Sequence, residues 1–243
     1  MVYRLKKALY GLKQAPRAWF SRIKTYFDRE GFKNSSLDHS LFIKKSGDKI
    51  LFVCLYVDNL VYTGNDVDLC KDFNDSMKRE FEMTDLGTMK YFLGVEVTQN
   101  SKGIHLNQKK YAKEVLERFQ MWNCNAAKNP IVPGTRLSKN AESVEIDATS
   151  YKQLVGSLMY ITVTRPDIMY CVSLISRFMA RPLEEHMQVA KRILRYLRGT
   201  TELGLMYKRG EGVELKAFTD SDYAGDIDDR KSTSGYVFFF LIY

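Results

Sequence analysis

Cysteine and histidine are scarce in this sequence, and their spacing excludes the structures that depend on them. Four cysteines and three histidines occur among 243 residues, and no two cysteines form a CxxC pair. This pattern excludes a zinc finger and a disulfide framework, because both need closely spaced ligands or paired thiols. We expect reduced thiols in an intracellular protein, either cytoplasmic or nuclear. The cysteines are Cys54, Cys70, Cys124 and Cys171.

Long apolar runs are also missing. No stretch approaches the roughly 18 apolar residues of a membrane span, and no signal peptide precedes the first motif. We therefore expect no membrane partner. The end of the chain, Tyr236 to Tyr243, is apolar and uncharged but too short to cross a bilayer. Its β-propensity makes it a predicted aggregation segment.

Basic charge and a core-forming composition are present instead. Hydrophobic residues make up 45% of the chain, and the formal net charge is +8. A basic excess suits a polyanionic partner and equally suits solubility, so charge alone leaves both readings open. In two predicted helices, basic residues three or four apart share one face. The candidates for contact with a nucleic-acid backbone are Lys109, Lys110, Lys113, Lys191, Arg192 and Arg195.

The apolar periodicity predicts an α+β fold. Predicted helices follow Pro16, Asp66 and Asn107, and three more lie between 150 and 198. Predicted strands cover 41–44, 50–57, 60–63 and 90–98, and strands resume from 204. The polar stretch 123–149, with its prolines and little periodicity, reads as a linker.

Tyr56-Val57-Asp58-Asn59 lies between two of the predicted strands. Asp58 and Asn59 both tolerate positive φ, which predicts a tight two-residue turn at that pair. On its own this stretch is read more readily as an ordinary turn than as a site.

A longer motif changes that reading. The segment from Leu5 to Trp19, LKKALYGLKQAPRAW, resembles the segment of copia-type reverse transcriptases that enters a helix of the palm. The resemblance implies that Gln14, Ala15 and Pro16, with Tyr56, contact the incoming nucleotide and the template. It also implies a DNA primer, an RNA template, nucleoside triphosphates and Mg²⁺, and virus-like particles as a location.

Three further stretches carry the same resemblance. Lys90 to Val97 is similar to the primer grip, with Phe92, Leu93 and Gly94 at its centre, although an ordinary strand with a glycine bulge is the alternative. The stretch 151–200 resembles the helical connection between polymerase and RNase H. Phe218 to Gly225 and Arg230 to Tyr236 resemble the first RNase H strands, with Asp220 as that site's first carboxylate; the neighbouring acids read as loop residues.

The implied organisation is a partial palm and thumb over 1–122, a linker over 123–149, a helical connection over 150–203 and a truncated RNase H-like β-hairpin over 204–243. The oligomeric state stays open. The resemblance implies that further RNase H carboxylates belong beyond Tyr243.

The chemistry of polymerisation sets what this chain has to supply. Two Mg²⁺ ions about 3.5–4 Å apart need clustered carboxylates on a rigid support. Asp58 matches the family's first hairpin carboxylate and is the candidate metal ligand, whereas Asn59 stands where the family has a second aspartate. The family's bridging aspartate belongs upstream of Leu5, and Met1 to Arg4 contain no acid.

We therefore expect this copy to be catalytically inactive, and we expect Asn59→Asp not to restore activity. Three readings stay open: an active RNA-directed DNA polymerase, a non-catalytic nucleic-acid-binding remnant, and a decayed retroelement product without a selected function. The second and third are favoured.

Overall fold

The computed structural model describes residues 8–139, 142–210 and 213–242. Met1 to Lys7, which include the start of the first motif, and residues 140–141, 211–212 and 243 lie outside the described residues. Two compact units make up the chain, Met1–Met89 and Lys90–Tyr243.

The first unit packs two helices on one antiparallel sheet. Its elements are α1 (Ala15–Arg29), β1 (Lys33–Asn34), β2 (Leu41–Ser46), β3 (Lys49–Tyr56), β4 (Asn59–Gly64) and α2 (Val67–Glu80). The strands follow the order β1-β2-β3-β4. Pro16 occupies the first turn of α1, where its missing N–H costs no hydrogen bond. The predicted cap of α2 is confirmed, because the Asp66 carboxylate accepts the Leu69 N–H at 2.8 Å.

An aromatic cluster forms the core of this unit. Phe27 of α1 is fully buried, and its ring centroid lies 4.7 Å from that of Phe42 on β2. Phe73 of α2 closes the same cluster, with its centroid 6.2 Å from that of Phe27. Aromatic pairs at such distances add to the burial of apolar area, so both helices are fixed firmly against the sheet.

The second unit combines a second sheet, a helical body and a separate hairpin. Its elements are β5 (Tyr91–Phe92), β6 (Val95–Asn100), β7 (Gly103–Asn107), α3 (Lys109–Arg118), α4 (Ala148–Ile161), a short 3-10 helix (Pro166–Ile168), α5 (Met169–Ser176), α6 (Glu184–Gly199), β8 (Leu205–Lys208), β9 (Val213–Ser221) and β10 (Ser234–Ile242). The sheet has the order β5-β6-β7-β8, and β9 pairs only with β10 among the described strands. All pairings are antiparallel.

The expected α+β class is confirmed as a mixed fold with antiparallel sheets, but two local predictions are wrong. The predicted single strand over 90–98 is a hairpin, β5 and β6, that reverses at Leu93-Gly94. The predicted helix from Pro166 begins as a 3-10 turn before α5. Within the described ranges, no helix has both the length and the apolar character needed to cross a membrane.

The helical body consists of α3, α4, α5 and α6, which share one buried core. Tyr151 of α4 is fully buried, and its hydroxyl donates to the Ile175 carbonyl of α5 at 2.8 Å. Burial raises the pKa of the Tyr151 phenol, since the low-dielectric interior disfavours its anion. The tyrosine therefore acts as a neutral donor that joins two helices.

A buried arginine ties the 3-10 turn to the end of α6. Arg165 is only 3% exposed, and it donates to both carboxylate oxygens of Asp167 at 2.9 and 2.7 Å. It also donates to the Thr200 carbonyl and hydroxyl, both at 2.8 Å. The Tyr196 hydroxyl donates to Asp167 at 2.9 Å. Buried charge is tolerated here because every polar group has a partner.

Residues 122–129, which include the start of the polar stretch 123–149, pack on α6. Three arginines, spaced three apart on the helix, bind this segment: Arg192 contacts the Asn129 side chain, Arg195 donates to the Asn125 carbonyl at 2.8 Å, and Arg198 donates to the Trp122 carbonyl at 2.6 Å. Gly199 lies close to Ala126, and a Cβ at Gly199 would come within 2.9 Å of the Ala126 Cβ.

The loop between β9 and β10 is docked on the helical body through its acids. Arg177, directly after α5, donates to Asp226 at 3.0 Å, and Ser138 donates to Asp228 at 2.6 Å. The Ser138 hydroxyl and the Lys139 N–H lower the pKa of Asp228. The strands themselves are open, because Phe218 and Phe238 lie on opposite faces of the hairpin and are 60% and 59% exposed.

Candidate catalytic hairpin

The hairpin of β3 and β4 carries Asp58 at the tip of two well-packed strands. Alternate residues of β3, Leu51, Val53 and Leu55, are buried against the helices. The residues from Tyr56 to Asn59 are exposed. Because side chains alternate along a strand, the buried set fixes the register and holds the tip at the edge of the sheet.

The predicted position of the turn is wrong by one residue. Tyr56 pairs with Asn59 across the hairpin, so the loop residues are Val57 and Asp58, and Asn59 begins β4. The positive φ falls on Val57, at 53°, although a β-branched residue rarely adopts it. The Asn59 amide nitrogen lies 3.5 Å from an Asp58 carboxylate oxygen.

The first motif forms the entry to α1 in the same unit. Gln14 is the residue before the helix, it is exposed, and its side chain makes no capping hydrogen bond. Ala15 and Pro16 form the first turn. One turn later, the Trp19 indole N–H donates to the Val57 carbonyl at 2.7 Å. The structure thus brings α1 to the tip that carries Asp58.

The candidate primer grip, Phe92, Leu93 and Gly94, is a second tight hairpin. Leu93 and Gly94 have φ of 48° and 79°, the left-handed values of a two-residue turn. Tyr160 of α4 donates its hydroxyl to the Leu93 carbonyl. A Cβ at Gly94 would lie 2.7 Å from the Tyr160 hydroxyl, so glycine leaves room for that contact.

We expect Gly94→Ala to destabilise the second unit more than Gly134→Ala. Both glycines have φ near 80°, but only Gly94 has an atom within 4 Å of the added Cβ. The left-handed backbone costs each alanine about 1–2 kcal/mol. Gly94→Ala must also displace Tyr160, so its urea midpoint will fall further. Equal midpoints for the two variants would contradict a tight contact between Tyr160 and the hairpin.

The candidate phosphate-binding residues have different surroundings. Lys109 forms an ion pair with Glu202 at 2.6 Å, and Lys113 lies 3.7 Å from Glu117. Arg192 and Arg195 hold the 125–129 segment, as described above. Lys110 is exposed with its ammonium 6.0 Å from the Tyr91 ring centroid, and Lys191 is exposed on α6. Among the six, Lys110 and Lys191 are the exposed lysines for which the described residues supply no ion pair.

Asp220 lies on β9 opposite Gly235, exposed, and its carboxylate accepts the Ser221 N–H at 2.8 Å. The neighbouring Asp222, just after β9, accepts the N–H of Thr233, just before β10, at 2.9 Å. Within the described ranges, no three His, Cys, Asp or Glu side chains gather as a metal-binding group.

Comparison with known proteins decides the family. A family model described as reverse transcriptase (RNA-dependent DNA polymerase) matches residues 1–133, which is more than half of the chain. The chain belongs to this reverse transcriptase family. The copia-type resemblance is confirmed by relatives that include three Pol polyproteins from transposons.

Two Pol polyproteins illustrate the relationship. The chain is 43% identical over 236 residues to the retrovirus-related Pol polyprotein from transposon RE1 of Arabidopsis thaliana. The matched region covers 97% of the chain and 16% of that polyprotein. It is 38% identical over 250 residues to the one from transposon TNT 1-94 of Nicotiana tabacum, covering 99% of the chain and 19% of the polyprotein. The chain thus spans less than a fifth of either polyprotein.

A shorter relative has a similar extent to this chain. An uncharacterized mitochondrial protein of Arabidopsis thaliana is 33% identical over 190 residues, covering 78% of the chain and 78% of that protein. No solved structure matches the chain.

Reverse transcriptases usually use Mg²⁺, and the hairpin meets that requirement only in part. Asp58 offers an exposed carboxylate, but the adjacent Asn59 presents its amide nitrogen to it rather than a second anion. Mg²⁺ binds through anionic and carbonyl oxygens in an octahedral arrangement. One carboxylate and one amide do not form a two-ion site.

The sequence did not predict three contacts between distant residues, which are made by Trp19, Tyr160 and Arg165. Trp19 and Tyr160 each bind a loop carbonyl, and Arg165 joins the 3-10 turn to α6. In the sequence, each of these residues is recognisable only as an aromatic or cationic side chain within a motif. Its partner in each case lies at least 35 residues away.

Proposed function

We propose that this chain is the part of a retrotransposon reverse transcriptase that carries the catalytic hairpin, the primer grip and the connecting helices, followed by the first RNase H strands. The observation that carries this proposal is Asp58 at the tip of a rigid hairpin, beside the α1 entry, inside the region that matches the family. An RNA template, a DNA primer and nucleoside triphosphates are the proposed ligands.

Each proposed role has local support. Gln14 has a side chain that is not used for capping, so it is available to a nucleotide or a template. The turn at Leu93-Gly94 is fixed by Tyr160, as a hairpin that positions a primer end would need. Lys110 and Lys191 offer exposed ammonium groups for phosphates.

A second candidate function is non-catalytic binding of nucleic acid, and Asn59 favours it for this copy. Oxygen ligands with negative charge stabilise both the attacking and the leaving oxygen through the metal ions. The amide of Asn59 keeps the shape of an aspartate but supplies no charge. We therefore propose that this copy binds template and primer without extending the primer.

Primer extension and binding on one RNA template annealed to a DNA primer test both candidates. We expect no extension above background with Mg²⁺ or Mn²⁺, and we expect Asn59→Asp to stay at background, because one turn cannot surround two ions. The logarithm of the binding constant should fall about linearly with the logarithm of the salt concentration, because phosphate contacts release counterions. Template-dependent synthesis by the purified chain would overturn the proposal that this copy does not extend a primer. Binding that is absent, or that does not depend on salt, would overturn the proposal that it binds nucleic acid.

A further inference from the structure

The backbone at the tip of the β3–β4 hairpin adopts a conformation that has to be held. Val57 has a φ of 53°, in the left-handed region, which β-branched residues rarely adopt. Such backbone persists only where surrounding contacts determine it. The four tip residues from Tyr56 to Asn59 are all exposed, so burial of their own side chains is not what holds the turn.

A hydrogen bond from α1 supplies the missing constraint. The Trp19 indole N–H donates to the Val57 carbonyl at 2.7 Å, across 38 residues of sequence. The indole is itself fixed, because its ring meets Phe81 edge-on with centroids 5.4 Å apart. Phe81 is buried at the end of α2 and also meets Tyr26 edge-on at 5.3 Å. The donor is therefore anchored in the core of the unit.

The bonded carbonyl belongs to the peptide that also contains the Asp58 N–H. Because a peptide group is planar, fixing its carbonyl oxygen fixes the direction of the bond to the Asp58 Cα. The direction of the Asp58 carboxylate then depends on the torsions of Asp58 itself and no longer on the backbone torsions of Val57. Groups that must meet a reacting centre gain from such prior orientation.

We infer that Trp19 is a positioning residue that holds the Val57 carbonyl and thereby aims Asp58. The inference rests on the proposed function in giving Asp58 a role at the polymerase site. The same helix begins with the Gln14-Ala15-Pro16 segment, so α1 sets the placement of that segment and of the Asp58 tip together.

Backbone relaxation of the ¹⁵N-labelled full chain tests the inference without substrate. Trp19→Phe retains an aromatic ring that can pack on Phe81 and removes the indole donor. We expect the order parameters of Val57 and Asp58 to fall from the rigid value of about 0.85 to below about 0.6. The unfolding temperature should stay close to that of the unaltered chain. Unchanged order parameters at the tip would overturn the inference.

The chain's other tryptophan provides a matched control. Trp122 is also partly buried, in the second unit, where Arg198 lies over its ring. Trp122→Phe should leave the order parameters of Val57 and Asp58 unchanged. An equal loosening in both variants would show that losing either indole disturbs the chain generally, and it would overturn the specific role of Trp19.

A metal titration separates this inference from the proposed function. Mn²⁺ should broaden the Asp58 amide signal in Asn59→Asp, and Trp19→Phe added to that variant should weaken this binding several-fold. If Asn59→Asp takes up no Mn²⁺ while Trp19→Phe still loosens the tip, the proposed metal role of Asp58 fails and the positioning of the tip stands. If the added Trp19→Phe leaves both Mn²⁺ affinity and tip order unchanged, the positioning role fails.

Discussion

Arg165→Met should lower the free energy of unfolding of the second unit by about 3 kcal/mol, at the low end of the 3–5 kcal/mol that loss of one partner of a buried ion pair costs. The low end applies because the Asp167 side chain is 35% exposed, so water compensates part of its lost pairing. The variant leaves Asp167 without its guanidinium and the Thr200 carbonyl without its donor. Urea unfolding followed by circular dichroism measures the change.

Arg181→Met is the matched control for Arg165→Met. Arg181 also pairs with a carboxylate, Glu145, but its side chain is 64% exposed. Exposed pairs contribute little, because water and salt screen them. We expect no measurable change in the urea midpoint for this variant. A loss as large as that of Arg165→Met would mean that burial is not what makes the Arg165 cluster important.

Acid should reduce the difference in the free energy of unfolding between Arg165→Met and the unaltered chain. Burial alone would raise the pKa of Asp167, but hydrogen bonds from Arg165 and Tyr196 and the charge of Arg165 outweigh it and hold that pKa below its ordinary value of 3.8. A depressed carboxyl pKa stabilises the fold above the unfolded pKa, and this contribution disappears as the pH falls through the folded value. The difference in the free energy of unfolding between the two chains should therefore be largest near neutral pH and should decrease below about pH 4.

The sequence predicted the elements of the first unit well because their signals are local. Pro16 marks the start of α1, Asp66 caps α2, and the apolar run 50–57 predicts β3. These features depend on neighbours within a few residues. Local propensity also caused the error at the hairpin tip: Asp58 and Asn59 tolerate positive φ better than Val57, yet Val57 adopts it, with its carbonyl held by a contact from α1.

The helical surface was harder to predict because spacing does not say what covers a face. Arg192, Arg195 and Arg198 recur every three residues, as a phosphate-binding face would. In the structure this row binds the 122–129 segment instead. That segment has little periodicity and reads as a linker, and nothing local in its sequence indicates that its carbonyl groups and an asparagine side chain meet three guanidinium groups of α6.

Asn59→Asp should tighten the binding of Mn²⁺ at the hairpin tip by about 30-fold. A unit charge about 4 Å from a divalent ion in water contributes about 2 kcal/mol, twice the value for a monovalent ion, and about 1.4 kcal/mol corresponds to tenfold in affinity. The high dielectric constant applies because the tip is exposed. The substitution also removes the amide nitrogen that lies 3.5 Å from the Asp58 carboxylate.

Isothermal titration with Mn²⁺ at low salt measures this effect, and Asn100→Asp controls for the added charge. Asn100 lies at another hairpin end, where its side-chain oxygen accepts the Lys102 N–H at 2.8 Å, a bond that aspartate can also make. Asn100→Asp should leave the affinity unchanged, and Asp58→Asn on the Asn59→Asp background should return it to the starting value. The gain from Asn59→Asp should also shrink as salt rises, because the exposed charge is screened. Equal gains from Asn59→Asp and Asn100→Asp would mean that the net charge of the chain, and not the pair of carboxylates at the turn, attracts the ion.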